Sequence, residues 1–499
     1  MTILLSVISG LLLITIFPLG NIDLLAWVAL ICLMRSIENV SVRRAALLGF
    51  VTGFTAYAGI LYWIVPLVKF NCQSTFQAII CLAALAAYLA LYVAVWAALV
   101  AYVRLTSWLK YVLFSAVAWT ALEYARTYVL TGFPWALLGY SQFRAGWILP
   151  LARYTGVYGV SWVVVAVNAV LFQWFVVRAR RGWVIAGIIL SLGVICLRVI
   201  IQIPSQSFNP GDRRILVGIM QPSIEQYQKW NDAYRATILA TYDAMADEIT
   251  MRAPQIIVWP ETLVPGFLPV DSFSQQWVET LVKRTGVINV IGTPYVGHDG
   301  ASYNASIVLD GHANVLGVHR KTHLVAFGEY VPLRSIFEPF FGILNTLGDF
   351  QRGKQYLPID ADSLRLGISI CSENMFGDIA RKLTKNGATL LINETNDAWF
   401  FNTAAPEQHF IMNVFRAVEN NRAVIVSGNT GVSGSISSDG YIMHRTAVFT
   451  KTWITVPITK KTRLTFYTKH GDIFAIVCCA ITALFMLWRI ICLIKCRKS

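Results

Sequence analysis

The chain has 499 residues, of which 56% are hydrophobic and 14% charged, against roughly a quarter charged in ordinary soluble domains; its mean hydropathy of +0.57 excludes a wholly soluble protein. The net charge of +14 invites a nucleic-acid partner. However, the basic residues lie in short loops between apolar runs and at the C-terminus, not in a stripe interleaved with aromatics. No nucleic acid is therefore expected, and the charge is read as fixing membrane topology and meeting anionic lipid.

Long apolar runs predict membrane spans at residues 3–18, 22–34, 46–68, 76–103, 111–124, 156–177, 183–201 and 473–494. The second run is short and either crosses or closes a hairpin with the first. No Lys or Arg precedes the first run and no clear small-residue cleavage site follows it, so it is read as a span and not as a signal peptide. Arg35, Arg43 and Arg44, then Arg104 and Lys110, then Arg178, Arg180 and Arg181, and finally Lys495, Arg497 and Lys498 fall on one side. The loops at 20–21 and 71–74 on the other side carry no charge of their own, Lys69 preceding the second. The positive-inside rule then places both termini in the cytoplasm, and the polar stretch and the loop 126–153 on the outer face. The expected organisation is a membrane domain at 1–202 with seven helices, an outward α/β domain at 203–470, and a final span with a basic tail at 471–499.

Within the polar stretch, short β-type runs alternate with helical ones. Strands are expected at 215–220, 256–259, 287–291, 366–370, 390–393 and 424–426, with a hairpin of 306–309 and 315–318 around Asp310-Gly311. Helices are expected at 232–252, 274–284, 378–385 and 407–420. Active groups in such domains tend to sit at strand ends and in the loops that follow. Three segments fit: IIVWPET, where Glu261 follows an apolar strand; HRKTHLVAFGEYVP, with Lys321 and Glu329; and RLGISICSEN, where Cys371 ends a strand and Glu373 lies just beyond.

Of nine cysteines, Cys371 alone lies between residues 197 and 477. Taken by itself it reads as a reactive thiol, as a buried inert side chain, or as a disulfide partner of Cys72. A thiol nucleophile needs a base, and a lysine nearby supplies a fixed positive charge for an oxyanion. Glu261 and Lys321 each read alone as surface charges, yet both sit among Trp, Pro and Phe. His319, His323 and His409 offer a Cys–His pair or a zinc site instead. No CxxC or HExxH occurs, so no metal is expected.

WPET, the K-x-H-L-V-x-F-G-E-Y-V-P loop and the strand-C-x-E segment together resemble the nitrilase superfamily. The apolar spans, GFPWALLGYSQ and NDAWF extend the resemblance over nearly the whole chain to the bacterial apolipoprotein N-acyltransferase family. The resemblance implies an α-β-β-α sandwich facing the periplasm, in an inner-membrane protein that needs no cofactor. It implies Glu261 as general base, Lys321 as oxyanion stabiliser and Cys371 as nucleophile, with Glu329 orienting the site and Glu373 supporting it. Trp230, Asn304, Trp399 and Glu419, and Arg126 and Gly132 of the loop near the membrane, match further functional positions and are expected to bind substrate. The implied partners are a phospholipid acyl donor and a diacylated apolipoprotein acceptor, served by a monomer. Ala326 stands where the family usually has proline and Ser372 where an aromatic often stands. The segment 331–348 is a candidate lipid-touching lid or an ordinary packing loop.

Two other classes compete. A membrane-tethered nitrilase-type amidase or thioesterase would resolve the acyl-enzyme with water. A transporter or receptor with an outer sensor domain would need ionisable residues in its spans or paired halves, and the sequence is poor in the first and lacks the second.

Overall fold

The computed structural model describes residues 1–72, 74–103, 107–175, 214–264, 266–331 and 350–498, with the backbone alone for Cys72 and 493–498. The chain divides into two compact units, Met1–Ser205 with His470–Ser499, and Gln206–Lys469.

In the first unit the apolar runs become helices. Among the described residues, Thr75–Val103, Val157–Phe175 and Ile473–Cys492 are long and apolar enough to cross a membrane. A fourth is added if Val42–Ile60 and Ile64–Asn71, bent by 62°, form one span. The run expected at 46–68 is thus two helices. Pro66 lies in the first turn after the break, where its ring cannot donate a hydrogen bond and crowds the carbonyl of Tyr62. Thr2–Thr15 is shorter, and Trp108–Tyr128 carries the buried Glu123 and Arg126. The run expected at 22–34 is not one helix. It is a 3-10 turn, Asp23–Trp27, followed by the short helix Ile31–Ser36. The break frees backbone groups in an apolar setting, and Asn168 satisfies two of them. Its Oδ1 accepts from Leu30 N at 2.9 Å and its Nδ2 donates to Ala26 O at 2.8 Å. The run expected at 183–201 and the basic cluster Arg178, Arg180 and Arg181 lie outside the described residues.

The second unit is built on twelve strands: β1 (Arg214–Gln221), β2 (Ile256–Val258), β3 (Ile288–Val296), β4 (Ser302–Leu309), β5 (Val315–Arg320), β6 (Ile359–Ala361), β7 (Leu364–Ile370), β8 (Leu390–Thr395), β9 (Val424–Gly428), β10 (Gly434–Ile436), β11 (Ile442–Arg445) and β12 (Thr452–Thr459). They form two six-stranded sheets, ordered β12-β1-β2-β3-β4-β5 and β11-β10-β9-β8-β7-β6. Each sheet has a parallel centre, β1-β2-β3 in one and β7-β8-β9 in the other, flanked by antiparallel neighbours.

The sheets pack face to face. Val217, Ile219, Ile256, Val258 and Val290 of one meet Leu366, Ile368, Ile370, Leu390, Ile392 and Ile425 of the other in a dry core. Strands this continuously apolar are those of sheets covered on both faces. The helices Asp232–Thr250 and Ser272–Thr285 cover the outer face of the first sheet through Leu239, Tyr242, Ile249, Val278 and Leu281. Gly377–Lys385 and Ala405–Asn420 pack on β7 and β9 of the second. The layers therefore run helix, sheet, sheet, helix. Strands β6 and β10 to β12 were not expected from the sequence: β6 and β10 have three residues each and β11 is largely exposed, so no alternating stripe marks them, while β12 does carry alternating Ile454, Val456 and Ile458, interrupted by Pro457.

Candidate active site

Glu261, Lys321 and Cys371 each follow the end of a strand: β2 runs out through Trp259-Pro260 to Glu261, Lys321 follows β5, and Cys371 follows β7. β3 approaches Glu261 closely at Gly292, where a Cβ would come within 2.6 Å of Glu261 Cα. Any larger residue there would displace the glutamate.

The two carboxylates and the lysine are brought together by one amide. Asn304, on β4, donates its side-chain nitrogen to Glu261 Oε1 at 2.8 Å and to Glu329 Oε1 at 2.6 Å. Lys321 Nζ donates to Glu329 Oε1 at 2.9 Å and lies 3.7 Å from Glu261 Oε1. Glu261 Oε2 accepts from the main-chain N–H of Asn396 at 2.9 Å, and Glu329 Oε2 from that of Val325 at 2.8 Å. Each oxygen of the two carboxylates has a donor, and both glutamates and Lys321 are buried. Burial works against the charge on Lys321, but Glu329, Glu261 and Cys371 outweigh it and hold the ammonium well above its ordinary range.

Cys371 carries a free thiol. Its backbone sits at φ +51°, in the left-handed region that a non-glycine residue enters at a cost. Its carbonyl is held there by Asn393 Nδ2 at 3.1 Å and His409 Nε2 at 3.2 Å, and His409 Nδ1 faces Asp397 Oδ1 at 3.0 Å. Burial of the sulfur pushes the thiol well above its ordinary value, Glu261 pushes it the same way, and Lys321 opposes both. The resting group is accordingly a thiol, and it needs a base at the moment of attack.

Glu373 joins the Cys371 turn to the Lys321 loop. It accepts from Ile370 N at 2.8 Å on one side, and from Thr322 N and Thr322 Oγ1 at 2.6 Å and His323 N at 3.2 Å on the other. Although burial raises its carboxyl, His319 and these donors outweigh it and bring it down to about 2. His319 Nε2 lies 3.4 Å from Glu373 and His409 meets Asp397, so each of these rings faces a carboxylate beside the site and not the sulfur.

The remaining expected positions differ in kind. Trp230 is 54% exposed, directly after the short helix Gln226–Lys229. Trp399 lies in the turn Asp397–Phe400, just past Asn396. Glu419 is buried on Ala405–Asn420 and pairs with Arg416 at 2.8 Å. Arg416 in turn donates to the carbonyls of Asn374 at 2.9 Å and Met375 at 3.1 Å, so Glu419 meets the Cys371–Met375 turn through an arginine. Arg126 and Gly132 belong to the helical unit. Arg126 is buried and donates to Tyr57 Oη at 2.5 Å, while Gly132, at φ +84°, ends the turn Val129–Thr131. Ser372 is buried, and Ala326 bridges to Tyr330 in the loop before Glu329. Of the candidate lid 331–348, residues 332–348 lie outside the described residues.

Lys229, Asn396, Asn393 and Asp397 contact the site and were not foreseen. NDAWF drew attention to Trp399, while Asn396 and Asp397 of the same motif make the contacts. Nothing local to Lys229 marks it, because its partner is 32 residues away.

Two stacked sheets with a Glu, a Lys and a Cys delivered at strand ends define a nitrilase-type α/β domain, and residues 216–465 match the carbon-nitrogen hydrolase family. Residues 9–170 match the apolipoprotein N-acyltransferase N-terminal domain. The chain is 33% identical to the apolipoprotein N-acyltransferase of Geobacter metallireducens, covering 96% of this chain and 93% of that one. It is 31% identical to that of Methylococcus capsulatus, covering 96% and 94%. Among solved structures, Saccharomyces cerevisiae Nit3, a member of branch 10 of the nitrilase superfamily, aligns with a TM-score of 0.39 and 19% identity over 50% of this chain and 90% of that one. The chain belongs to the apolipoprotein N-acyltransferase family.

Proposed function

We propose that this protein transfers a fatty acyl chain from a phospholipid to the α-amine of the N-terminal diacylglyceryl-cysteine of apolipoproteins, the last step of lipoprotein maturation. The observation that carries the reading is the buried Lys321 ammonium, 2.9 Å from Glu329 and 3.7 Å from Glu261, and coupled electrostatically to Cys371. That is the charge pattern an acyl transfer to sulfur requires.

In the first half-reaction Cys371 Sγ attacks the ester carbonyl carbon while its proton passes to Glu261. Lys321 stabilises the oxyanion that forms. Collapse breaks the bond to the glycerol oxygen, which takes the proton back from Glu261 and leaves as lysophospholipid, with the acyl chain now a thioester. In the second half the acceptor amine attacks the thioester and gives its proton to Glu261. Collapse expels the Cys371 sulfur, which is reprotonated as the amide is released. Glu329 holds Lys321 in place, and Glu373 ties the turn bearing Cys371 to the loop bearing Lys321. Trp230, Asn304, Trp399 and Glu419 complete the substrate site of the α/β domain, directly or by holding its parts, and Arg126 and Gly132 of the helical unit are assigned to substrate binding within that unit.

Both substrates are lipids of the outer leaflet of the bacterial inner membrane. The reading therefore takes both termini as cytoplasmic, the α/β domain as periplasmic, and the monomer as working unit. Purified protein incubated with phosphatidylethanolamine and a diacylated lipopeptide should yield triacylated peptide. Free fatty acid without triacylated peptide would make the enzyme a hydrolase and end this reading.

A further inference from the structure

Lys229 is a buried lysine whose side chain makes one hydrogen bond among the described residues, from Nζ to the main-chain oxygen of Glu261 at 3.1 Å. An ammonium has three donors to satisfy and a large desolvation cost, so a lysine placed here needs a compensating role. The geometry around Glu261 supplies one. The chain leaves β2 through Pro260 and turns at Thr262, at φ +54°. The next backbone bonds belong to Trp259 N, which donates to Val290 O, and Leu263 N, which donates to Gly292 O. Between them, Lys229 holds the main chain of Glu261 itself.

The helix that bears Lys229 reaches Glu261 a second way. Asn396 Nδ2 donates to Gln226 Oε1 at 3.1 Å, and Asn396 N donates to Glu261 Oε2. Gln226 and Lys229 are buried, whereas Tyr227 and Trp230 are 52% and 54% exposed. One short helix thus grips the glutamate on one face and presents two aromatics on the other.

We propose that Lys229 is a positioning residue for the reaction, fixing the main chain of Glu261 and placing a positive charge beside it. The inference rests on Glu261 being the base of the proposed function. The charged and titratable groups around Glu261 are Lys229 from the short helix, Lys321 after β5, Glu329 across Asn304, Cys371 after β7 and Glu394 on β8. Lys321 stays protonated through the working range, so Lys229 is the cation whose charge changes there. Burial brings it down to about 7 against the pull of Glu261. Below that pH its charge favours the ionised base, and above it the charge is lost.

The test is the pH dependence of acyl-enzyme formation on full-length protein with phosphatidylethanolamine, followed by intact mass. Lys229→Gln keeps an N–H donor and removes the charge, Lys229→Arg keeps both, and Lys229→Met removes both. We expect the acid limb of the Lys229→Gln profile to move up by about one pH unit. The turnover should fall by up to about tenfold on the acid side of that limb, converge with wild type above pH 8, and leave KM for the phospholipid unchanged. Lys229→Arg should keep the wild-type acid limb. Lys229→Gln serves for the profile even if Lys229→Met does not fold. An unshifted limb, or a loss equal at every pH, would overturn the role of Lys229. Failure of wild-type protein to form any acyl adduct would instead remove the acyl-enzyme reading on which it rests.

Discussion

Asn304 directs both protons of its side-chain amide to carboxylates, Glu261 at 2.8 Å and Glu329 at 2.6 Å. Two acidic groups are thereby held in register with Lys321 between them. A hydrogen bond to a charged group is worth about 1.5–3 kcal/mol. Asn304→Ala should therefore slow acyl-enzyme formation by about 10- to 100-fold, and Asn304→Asp, which adds a third carboxyl, should slow it further. Single-turnover mass spectrometry measures both, and wild-type rates in Asn304→Asp would contradict the arrangement.

Lys321 is buried against two carboxylates. Lys321→Ala leaves them facing each other without a counter-ion, which costs about 3–5 kcal/mol when a buried pair is broken. The variant should lose acylation by at least about 100-fold and also melt earlier. Lys321→Ala with full activity would remove the oxyanion role.

The Cys371 thiol is pushed up by its burial and then by Glu261, so little thiolate exists at neutral pH, and the proposed mechanism has Glu261 accept the proton as the sulfur attacks. Alkylation of Cys371 by neutral iodoacetamide should slow about 100-fold in Glu261→Gln, with the residual rate rising toward alkaline pH. Fast alkylation of Glu261→Gln, independent of pH, would show a sulfur that needs no base.

Glu373 and Glu394 titrate in opposite senses. Glu373 is brought down to about 2 by His319, Thr322 and the N–H of Ile370, against its burial. Its contribution is present in full above the unfolded carboxyl value near 4.3 and fades as pH falls through about 2, amounting to about 3 kcal/mol. Glu373→Gln should lower the melting temperature at pH 7 and matter much less near pH 2. Glu394, on the inner face of β8 after Leu390 and Ile392, is raised well above its ordinary value by burial and by Glu261; it accepts from Ser306 Oγ at 2.9 Å. Holding a raised carboxyl in the fold costs stability above the unfolded carboxyl value, so Glu394→Gln should raise the melting temperature at pH 7 and leave it nearly unchanged near pH 4. Melting curves at these pH values check both signs.

The sequence made the strands around the site legible because the strands of this sandwich core are apolar on both faces and stop abruptly at polar residues: Val258 before Glu261, Ile370 before Cys371. Lys321 was legible as a charge in an apolar context. The resemblance to known families supplied Asn304, whose partners Glu261 and Glu329 lie 43 and 25 residues away, and the role of Glu329, which its segment had already marked. What stayed hidden depended on long-range contact. Asn168 repairs a broken helix 138 residues earlier, and Lys229 meets Glu261 across 32 residues. Such pairs leave no periodicity to read. The 62° bend near Pro66 was open to reading, since proline marks it, but the surrounding hydropathy masked it.

The most direct test of the central claim is the intact mass of the protein after incubation with a phospholipid of known acyl chains. The account predicts one acyl adduct, located on Cys371, that disappears when a diacylated lipopeptide is added and is absent from Cys371→Ala. An adduct that persists in Cys371→Ala would contradict it.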